Sequence, residues 1–160
     1  MRRQRSLILS IAFAITLIAP VHALANMGAD DSSPSTGDPN IEEAKKAVDA
    51  QDWKRAVELL TKAAASDPNN ANVQNWLGFA QRKSGNLDAA FSAYNEALKL
   101  NPGHKAAHEY IGEAYLMAGN LAKAEEHLAQ LQKLCSPIPC EEYKDLRHAV
   151  DDYKKNNPKK

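Results

Sequence analysis

The amino-acid sequence predicts an all-α fold, in which three helix hairpins stack into a solenoid and a further helix caps the C-terminal end. Three observations predict it. Similar residue types recur every 34 residues without an insertion. Each recurring unit contains two amphipathic runs separated by turn residues. A last amphipathic run follows the third unit, where a stacked array needs an element to cover its open apolar face.

The composition is typical of a globular protein, with 25% charged and 44% apolar residues in a chain of 160. The 20 basic and 20 acidic residues balance, which argues against nucleic-acid binding because that function needs an excess of positive charge. The two cysteines are too few for a four-cysteine metal site. Neither a glycine-rich phosphate loop nor a nucleophile–histidine pattern is found, so we expect no enzyme activity and no cofactor.

The N-terminal segment is predicted to be a signal peptide over residues 1–25. Three arginines precede an apolar run over 7–19 that is too short to span a bilayer. The small residues at 23 and 25 predict cleavage after Ala25, with cleavage after Ala23 or an uncleaved anchor as the alternatives. We therefore expect a periplasmic or secreted protein with no membrane span once the signal is removed.

The segment 26–39 is predicted to be a disordered linker, because Gly, Pro, Ser, Thr and Asp dominate it and offer little apolar surface to bury. The repeats are expected to occupy 40–136, and a capping helix 141–156. Residues with equivalent positions in the repeats are Asp52, Asn86 and Asn120; Ala56, Ala90 and Ala124; Leu60, Tyr94 and Leu128; Ala44, Gly78 and Gly112; and Pro68 and Pro102.

Local signals set the predicted helix ends. Gly85 and Gly119 are typical of helix C-caps, and the Asn residue that follows each of them is typical of an N-cap. Pro68 and Pro102 disfavour helical geometry in the residue before them. The predicted helices are 40–50, 53–66, 70–84, 87–100, 105–118 and 121–134.

Two glycines fall in the middle of predicted helices, where glycine costs about 1 kcal/mol relative to alanine. They are Gly78 and Gly112. We expect another backbone to approach each of them closely, with Ala56, Ala90 and Ala124 forming the small surface opposite.

The residues that recur at equivalent positions resemble the motif of the tetratricopeptide repeat family. The middle unit carries the motif best, with Trp76, Leu77, Gly78, Ala90, Tyr94, Ala97 and Pro102. Gln81 stands where the family usually has Tyr, and Ala44 replaces Gly in the first unit. The resemblance implies a right-handed solenoid of three units, at about 37–70, 71–104 and 105–138.

The resemblance also implies a concave groove, lined by the first helix of each unit, that binds extended peptides or partner helices. The positions carried over are Lys45, Asn72, Asn75, Phe79, Arg82, Glu109 and Glu113. They do not reproduce the lysine–asparagine–arginine clamp with which some members hold a C-terminal carboxylate. We expect Phe79 to be an exposed apolar contact for the partner. The alternative is that Phe79 packs on Lys45 or Glu113 and only fills the inner face.

Four residues form an apolar stripe on the predicted capping helix, namely Tyr143, Leu146, Val150 and Tyr153. The adjacent acidic pairs at 125–126 and 141–142 are expected to be solvated charges. Cys135 and Cys140 flank the joint between the third unit and this helix. In an oxidising compartment they are predicted to form a structural disulfide. A redox role has less support because their spacing is not Cys-x-x-Cys.

The favoured function is that of a non-enzymatic adaptor, which binds a peptide or partner helix of another protein in the groove. Weak self-association is a further expectation. One alternative is an assembly factor or chaperone for an envelope complex or for cytochrome maturation. Another is a redox or metal sensor that uses Cys135 and Cys140 or the histidines His104 and His108, which are spaced to share a helix face. Two histidines are a weak signal, so no metal site is predicted.

Overall fold

The computed structural model describes residues 37–157, and within that range the chain is all α-helix and turns. The all-α prediction is therefore confirmed. The predicted signal peptide and the linker residues 26–36 lie outside the described residues. The helices are α1 (Pro39–Asp49), α2 (Trp53–Ser66), α3 (Ala71–Lys83), α4 (Leu87–Leu100), α5 (Lys105–Met117), α6 (Leu121–Leu134) and α7 (Glu141–Asn156).

The observed helix ends differ from the predicted ends by one residue in several places. Helix α1 begins at Pro39 because the side chain of Asp38 accepts a hydrogen bond from the backbone N–H of Asn40 at 2.8 Å. A proline suits the first turn, where its missing N–H has no helical partner. Helix α3 begins after Asn70, since that residue is the N-cap and not a helical residue.

The second helix of each unit begins at the predicted cap. Asp52, Asn86 and Asn120 each accept a hydrogen bond from the backbone N–H three residues later, at 3.0, 3.3 and 3.1 Å. The glycines before two of these caps, Gly85 and Gly119, have φ values of +86° and +77°. Both are left-handed conformations in which glycine has no Cβ to clash.

The helices stack as three hairpins with a cap. Helices α1 and α2, α3 and α4, and α5 and α6 pair within the units, while α2 packs on α3 and α4 on α5. Helix α7 packs against both α5 and α6. Large side chains without exposed surface fill the space between hairpins, among them Leu60, Tyr94, Ile111 and Leu146. None of the helices within 37–157 combines the length and hydrophobicity needed to cross a lipid bilayer.

The expectation of a close backbone at the mid-helix glycines is wrong. A Cβ atom built on Gly78 would lie 2.6 Å from the ring of Tyr94, and one built on Gly112 would lie 2.6 Å from Leu146 Cδ2. Each glycine thus makes room for a large side chain of a neighbouring helix. The neighbour of Gly78 comes from its own hairpin, whereas the neighbour of Gly112 comes from α7.

The predicted apolar stripe of α7 packs where expected. Leu146 and Val150 are buried, and Tyr143 and Tyr153 pack on the same cluster, which includes Leu131 of α6. The predicted disulfide between Cys135 and Cys140 is confirmed, with the two Cα atoms 5.3 Å apart. It closes the loop that joins α6 to α7, so the cap is held by both apolar packing and a covalent bridge.

Candidate functional site

Helices α3 and α5, which are the first helices of the second and third units, form one surface together with α7. This surface contains most of the predicted groove residues. We define the inner face as Asn75, Phe79 and Arg82 on α3, Glu109, Tyr110 and Glu113 on α5, and Glu142 and Asp145 on α7. Spacings of three, four and seven residues place the members on one side of each helix, except that Tyr110 is adjacent to Glu109 and follows the same side only through Glu113. The ion pair between Arg82 and Glu113, at 2.6 Å, joins α3 to α5 within this face.

Phe79 is not the exposed contact that the sequence suggested, because its side chain is only 6% exposed. The Trp53 ring meets it edge-on at 6.0 Å, and the Tyr110 ring lies 5.2 Å away. The cationic groups of Arg82 and Lys83 lie 5.5 and 5.4 Å from its centroid. The burial agrees with the alternative that the ring fills the inner face, where it packs among these rings and cations. Phe79 is a core aromatic residue that joins three repeats.

Arg82 organises the centre of the inner face. Its side chain is 7% exposed, its Nε donates a hydrogen bond to the Tyr94 hydroxyl at 3.3 Å, and an Nη pairs with Glu113. The guanidinium also lies 5.6 Å from the Tyr110 centroid. The guanidinium of Arg82 therefore makes its polar and aromatic contacts with other residues of this protein. It was predicted to contact a ligand, but here it holds α3, α4 and α5 together.

Glu109 is a buried carboxyl group among other acids. It is 4% exposed, and its Oε2 has no hydrogen-bond partner. Burial and, to a smaller extent, the carboxylates of Glu113, Asp145 and Glu142 together raise the pKa of Glu109 to about 9 against the opposing effect of Arg82. Glu109 is therefore protonated at neutral pH, and an added nearby positive charge would favour its ionised form.

Asn75 has no exposed surface, and neither its Oδ1 nor its Nδ2 forms a hydrogen bond. A buried amide without partners costs free energy, typically about 1–3 kcal/mol for each unsatisfied group. Such groups are rare in native proteins and call for an explanation. Asn75 is seven residues before Arg82, so its amide belongs to the same side of α3.

The remaining predicted groove residues lie nearer the solvent. The side chain of Lys45 is 27% exposed and pairs with Glu42 at 3.2 Å on its own helix. Asn72 is half-buried at the start of α3. Glu113 is 28% exposed and so forms the outer edge of the acidic cluster. Of the predicted set, the structure brings Asn75, Phe79, Arg82, Glu109 and Glu113 together, while Lys45 and Asn72 lie away from the acids.

The two histidines considered as a metal pair make different contacts. The Nδ1 of His104 accepts a hydrogen bond from the backbone N–H of Ala107 at 3.2 Å and caps α5. His108 instead pairs with His127 of α6, with 2.9 Å between the two Nδ1 atoms. The sequence did not indicate this pair, because His127 lies 19 residues after His108, in the other helix of the hairpin.

Sequence reasoning also missed the contribution of α7 to the site. Glu142 was expected to be solvated, but it is 7% exposed. Burial and the carboxylates of Glu141 and Glu113 raise the pKa of Asp145, which confirms that α7 and α5 bring acids together. The sequence did contain a signal for these two residues. Glu142 lies one helical turn before the apolar residue Leu146, and Asp145 directly precedes it, so both side chains lie at the edge of the contact that Leu146 makes.

The geometry matches that of known helical repeats. Sequence models of the tetratricopeptide repeat match residues 41–104 and 81–134. The type III secretion translocator chaperone SycD of Yersinia enterocolitica is 18% identical with a TM-score of 0.66, over 74% of this chain and 83% of SycD. The TPR2B domain of yeast Sti1, solved in a complex with an Hsp70 peptide, is 18% identical with a TM-score of 0.68, over 74% and 95%.

A third similar structure is the second TPR domain of human RPAP3, solved with an HSP70 peptide. It is 19% identical with a TM-score of 0.64, over 72% of this chain and 92% of that domain. At these identities the structural likeness supports the fold, and the matched sequence models cover more than half of the chain. The protein belongs to the tetratricopeptide repeat family.

Proposed function

We propose that this protein is an exported, non-catalytic adaptor that binds a segment of another protein along its inner face. The observation that carries the proposal is the pair of buried polar groups at Asn75 and Glu109, whose atoms lack hydrogen-bond partners. They are held on rigid, neighbouring helices, which suits a preformed binding surface. An adaptor needs no reacting group, only a surface that is incomplete until a partner arrives.

Similar structures support a binding role. SycD has been solved in a complex with a peptide of the translocator YopD, at 20% identity to this chain and a TM-score of 0.62. PcrH has been solved with the chaperone-binding region of PopD, at 15% identity and a TM-score of 0.65. These proteins hold a segment of a second protein. The same use of the fold is what we propose here.

Export is part of the proposal. It is supported by the arginine-led apolar segment and the small-residue cleavage site at the N-terminus. The Cys135–Cys140 disulfide supports it independently, because disulfides persist mainly in oxidising compartments. Fractionation of cells that express the full chain tests this part. Recovery of the full-length, uncleaved chain from the cytosol alone would contradict export.

Site-directed photo-crosslinking tests the adaptor function. A photo-crosslinking amino acid in place of Lys45 samples the first-repeat part of the predicted groove, and one in place of the exposed Lys62 on α2 is the matched control. We expect a protein partner to crosslink from position 45 in intact cells and not from position 62. Equal capture from both positions, or capture from neither, would contradict binding along the inner face.

A further inference from the structure

We propose that the partner segment carries a lysine or arginine side chain, which binds beside Glu109 at the acidic edge of the inner face. This inference rests on the proposed adaptor function and specifies the chemistry of the partner. It commits to a cationic segment of another protein. An acidic segment, a second copy of this chain and the chain's own N-terminal residues are the alternatives that the experiment distinguishes.

The first argument is charge complementarity. Three carboxylates act electrostatically on Glu109, from Glu113 on its own helix α5 and from Asp145 and Glu142 on α7. Arg82 is the cation that acts on Glu109, and it is already paired with Glu113 and hydrogen-bonded to Tyr94. An acidic occupant would add a like charge to this cluster. A cationic occupant would bring a charge opposite to that of the carboxylates.

The second argument comes from the hydrogen bonds that are not made. Glu109 Oε2 and Asn75 Oδ1 are both acceptors, both are buried, and both lack a donor. The contacts of Phe79 with Tyr110 and of Arg82 with Glu113 show that α3 and α5 pack together on the face that carries Asn75 and Glu109. Ammonium and guanidinium groups are donors only, with three and five N–H groups. Such a group can donate to the Glu109 carboxylate.

The third argument is access. Glu113 is 28% exposed, and Asp145 beside it is half-buried, so the edge of the acidic cluster reaches solvent. A long basic side chain can reach this edge from solvent and place its charged end near Glu109. Arginine and lysine are the side chains that combine a long aliphatic stem with a cationic end.

Binding of this kind releases a proton. The groups that face Glu109 are Arg82 on α3, Tyr94 on α4, Glu113 and Tyr110 on its own helix, and Glu142 and Asp145 on α7. Since burial and the acidic neighbours raise the pKa of Glu109 to about 9, a cation that binds near neutral pH displaces its proton. Affinity for a cationic segment should therefore rise as the pH increases from 6 to 9.

The experiment uses the folded chain starting at residue 26 and four 12-residue probe peptides of alanine and leucine. The peptides differ only at one central residue, which is arginine, lysine, citrulline or glutamate. We expect the arginine peptide to bind about tenfold more tightly than the citrulline peptide, as close charge pairs at desolvated interfaces allow. Calorimetry in buffers of different ionisation enthalpy should show proton release with the arginine and lysine peptides and none with the citrulline or glutamate peptide.

The variant Glu109→Gln removes the charge and keeps the shape of the protonated side chain, so it should fold. We expect it to bind the arginine and citrulline peptides equally and to lose the proton release. The matched control is Glu58→Gln, which replaces an exposed carboxylate of α2 and should retain the preference. Thermal unfolding of both variants shows that the fold is intact.

Several outcomes would overturn the inference. They are equal binding of all four peptides, binding of none, preference for the glutamate peptide, or a preference that survives Glu109→Gln. Crosslinks from position 45 to residues 1–25 or to a second copy would identify another occupant. A captured protein segment that contains no lysine or arginine would also contradict the inference but leave the adaptor function standing. Failure to capture any partner would count against the adaptor function itself.

Discussion

Gly112 of α5 lies directly against Leu146 of α7, and a Cβ atom on Gly112 would be 2.6 Å from Leu146 Cδ2. Leu146 has no exposed surface, so it cannot turn away into solvent. The absence of a side chain at position 112 is therefore what lets the capping helix approach the third repeat. Because α7 also contributes Glu142 and Asp145, the same contact positions the acidic edge of the inner face.

The first prediction tests this contact by a double-mutant cycle. Gly112→Ala should lower the free energy of unfolding by about 1–3 kcal/mol, because overpacking a full core costs that much. In a Leu146→Ala background the same change should raise it by up to about 1 kcal/mol, since alanine favours a helix over glycine. Urea denaturation measures both effects. The control is Gly103→Ala, where the nearest atom would lie at an ordinary 3.5 Å. Equal effects in both backgrounds would exclude the contact as the cause.

The origin of the predictable features is local. Gly85 and Asn86 act through their own backbone geometry and hydrogen bonds, so their roles could be read from sequence. The neighbour of Gly112 could not, because it comes from a helix outside the repeat pattern. The burial of Phe79 depends on Trp53, which occupies a column where the other units have leucine. Alignment of the repeats shows that Trp53 corresponds to these leucines. It does not show that the larger indole ring reaches Phe79 in the next repeat.

The second prediction concerns Gln51, which corresponds to Gly85 and Gly119 in the repeat. Gln51 has a φ of 55°, a left-handed conformation that costs a residue with a Cβ atom about 1–2 kcal/mol. Gln51→Gly should therefore raise the free energy of unfolding by up to about 1 kcal/mol, after allowing for the greater chain entropy of glycine. Thermal denaturation measures the change. The reciprocal variant Gly85→Gln should be destabilising, and stabilisation by it would show that the backbone conformation is not the cause.

The third prediction follows from the burial of Phe79. Phe79→Ala should lower the free energy of unfolding by about 3–5 kcal/mol, because it removes a ring packed between Trp53 and Tyr110 and leaves a cavity. Chemical denaturation followed by circular dichroism measures the loss. Met117→Ala is the control, since that side chain is 57% exposed and its removal should change stability by less than about 0.5 kcal/mol. A similar small effect for Phe79→Ala would place the ring at the surface.

The fourth prediction concerns the disulfide. Replacing Cys135 and Cys140 by serine should lower the free energy of unfolding by about 2 kcal/mol, as expected for releasing a short loop in the unfolded chain. The loss should appear equally in the wild-type chain when it is unfolded under reducing conditions. Adding reductant should leave the unfolding curve of the double serine variant unchanged. A shift in that variant would mean that the reductant acts elsewhere.

The fifth prediction is a loss of stability in acid through the His108–His127 pair. His108 Nε2 lies 3.0 Å from the carbonyl oxygen of Pro102 and must donate to it. In the neutral pair the Nδ1 of His108 therefore accepts the N–H of His127 across 2.9 Å. Protonating His108 would add a proton to its Nδ1. Two N–H groups would then face each other, and the hydrogen bond between the rings would be lost. Burial lowers the pKa of both rings, and the proximity of His108 further lowers the pKa of His127, to about 4.

A histidine pKa that is lower in the folded than in the unfolded state means that the unfolded chain binds more protons. The pair's contribution to stability is then complete above pH 6.5 and is lost as the pH falls from there to about 4. His127→Gln, whose amide can donate to His108, should reduce the loss of unfolding free energy between pH 7.5 and pH 4.5. His148→Gln should leave it unchanged, because that ring is 80% exposed. Equal acid sensitivity of the wild type and both variants would show that carboxyl groups alone cause the loss.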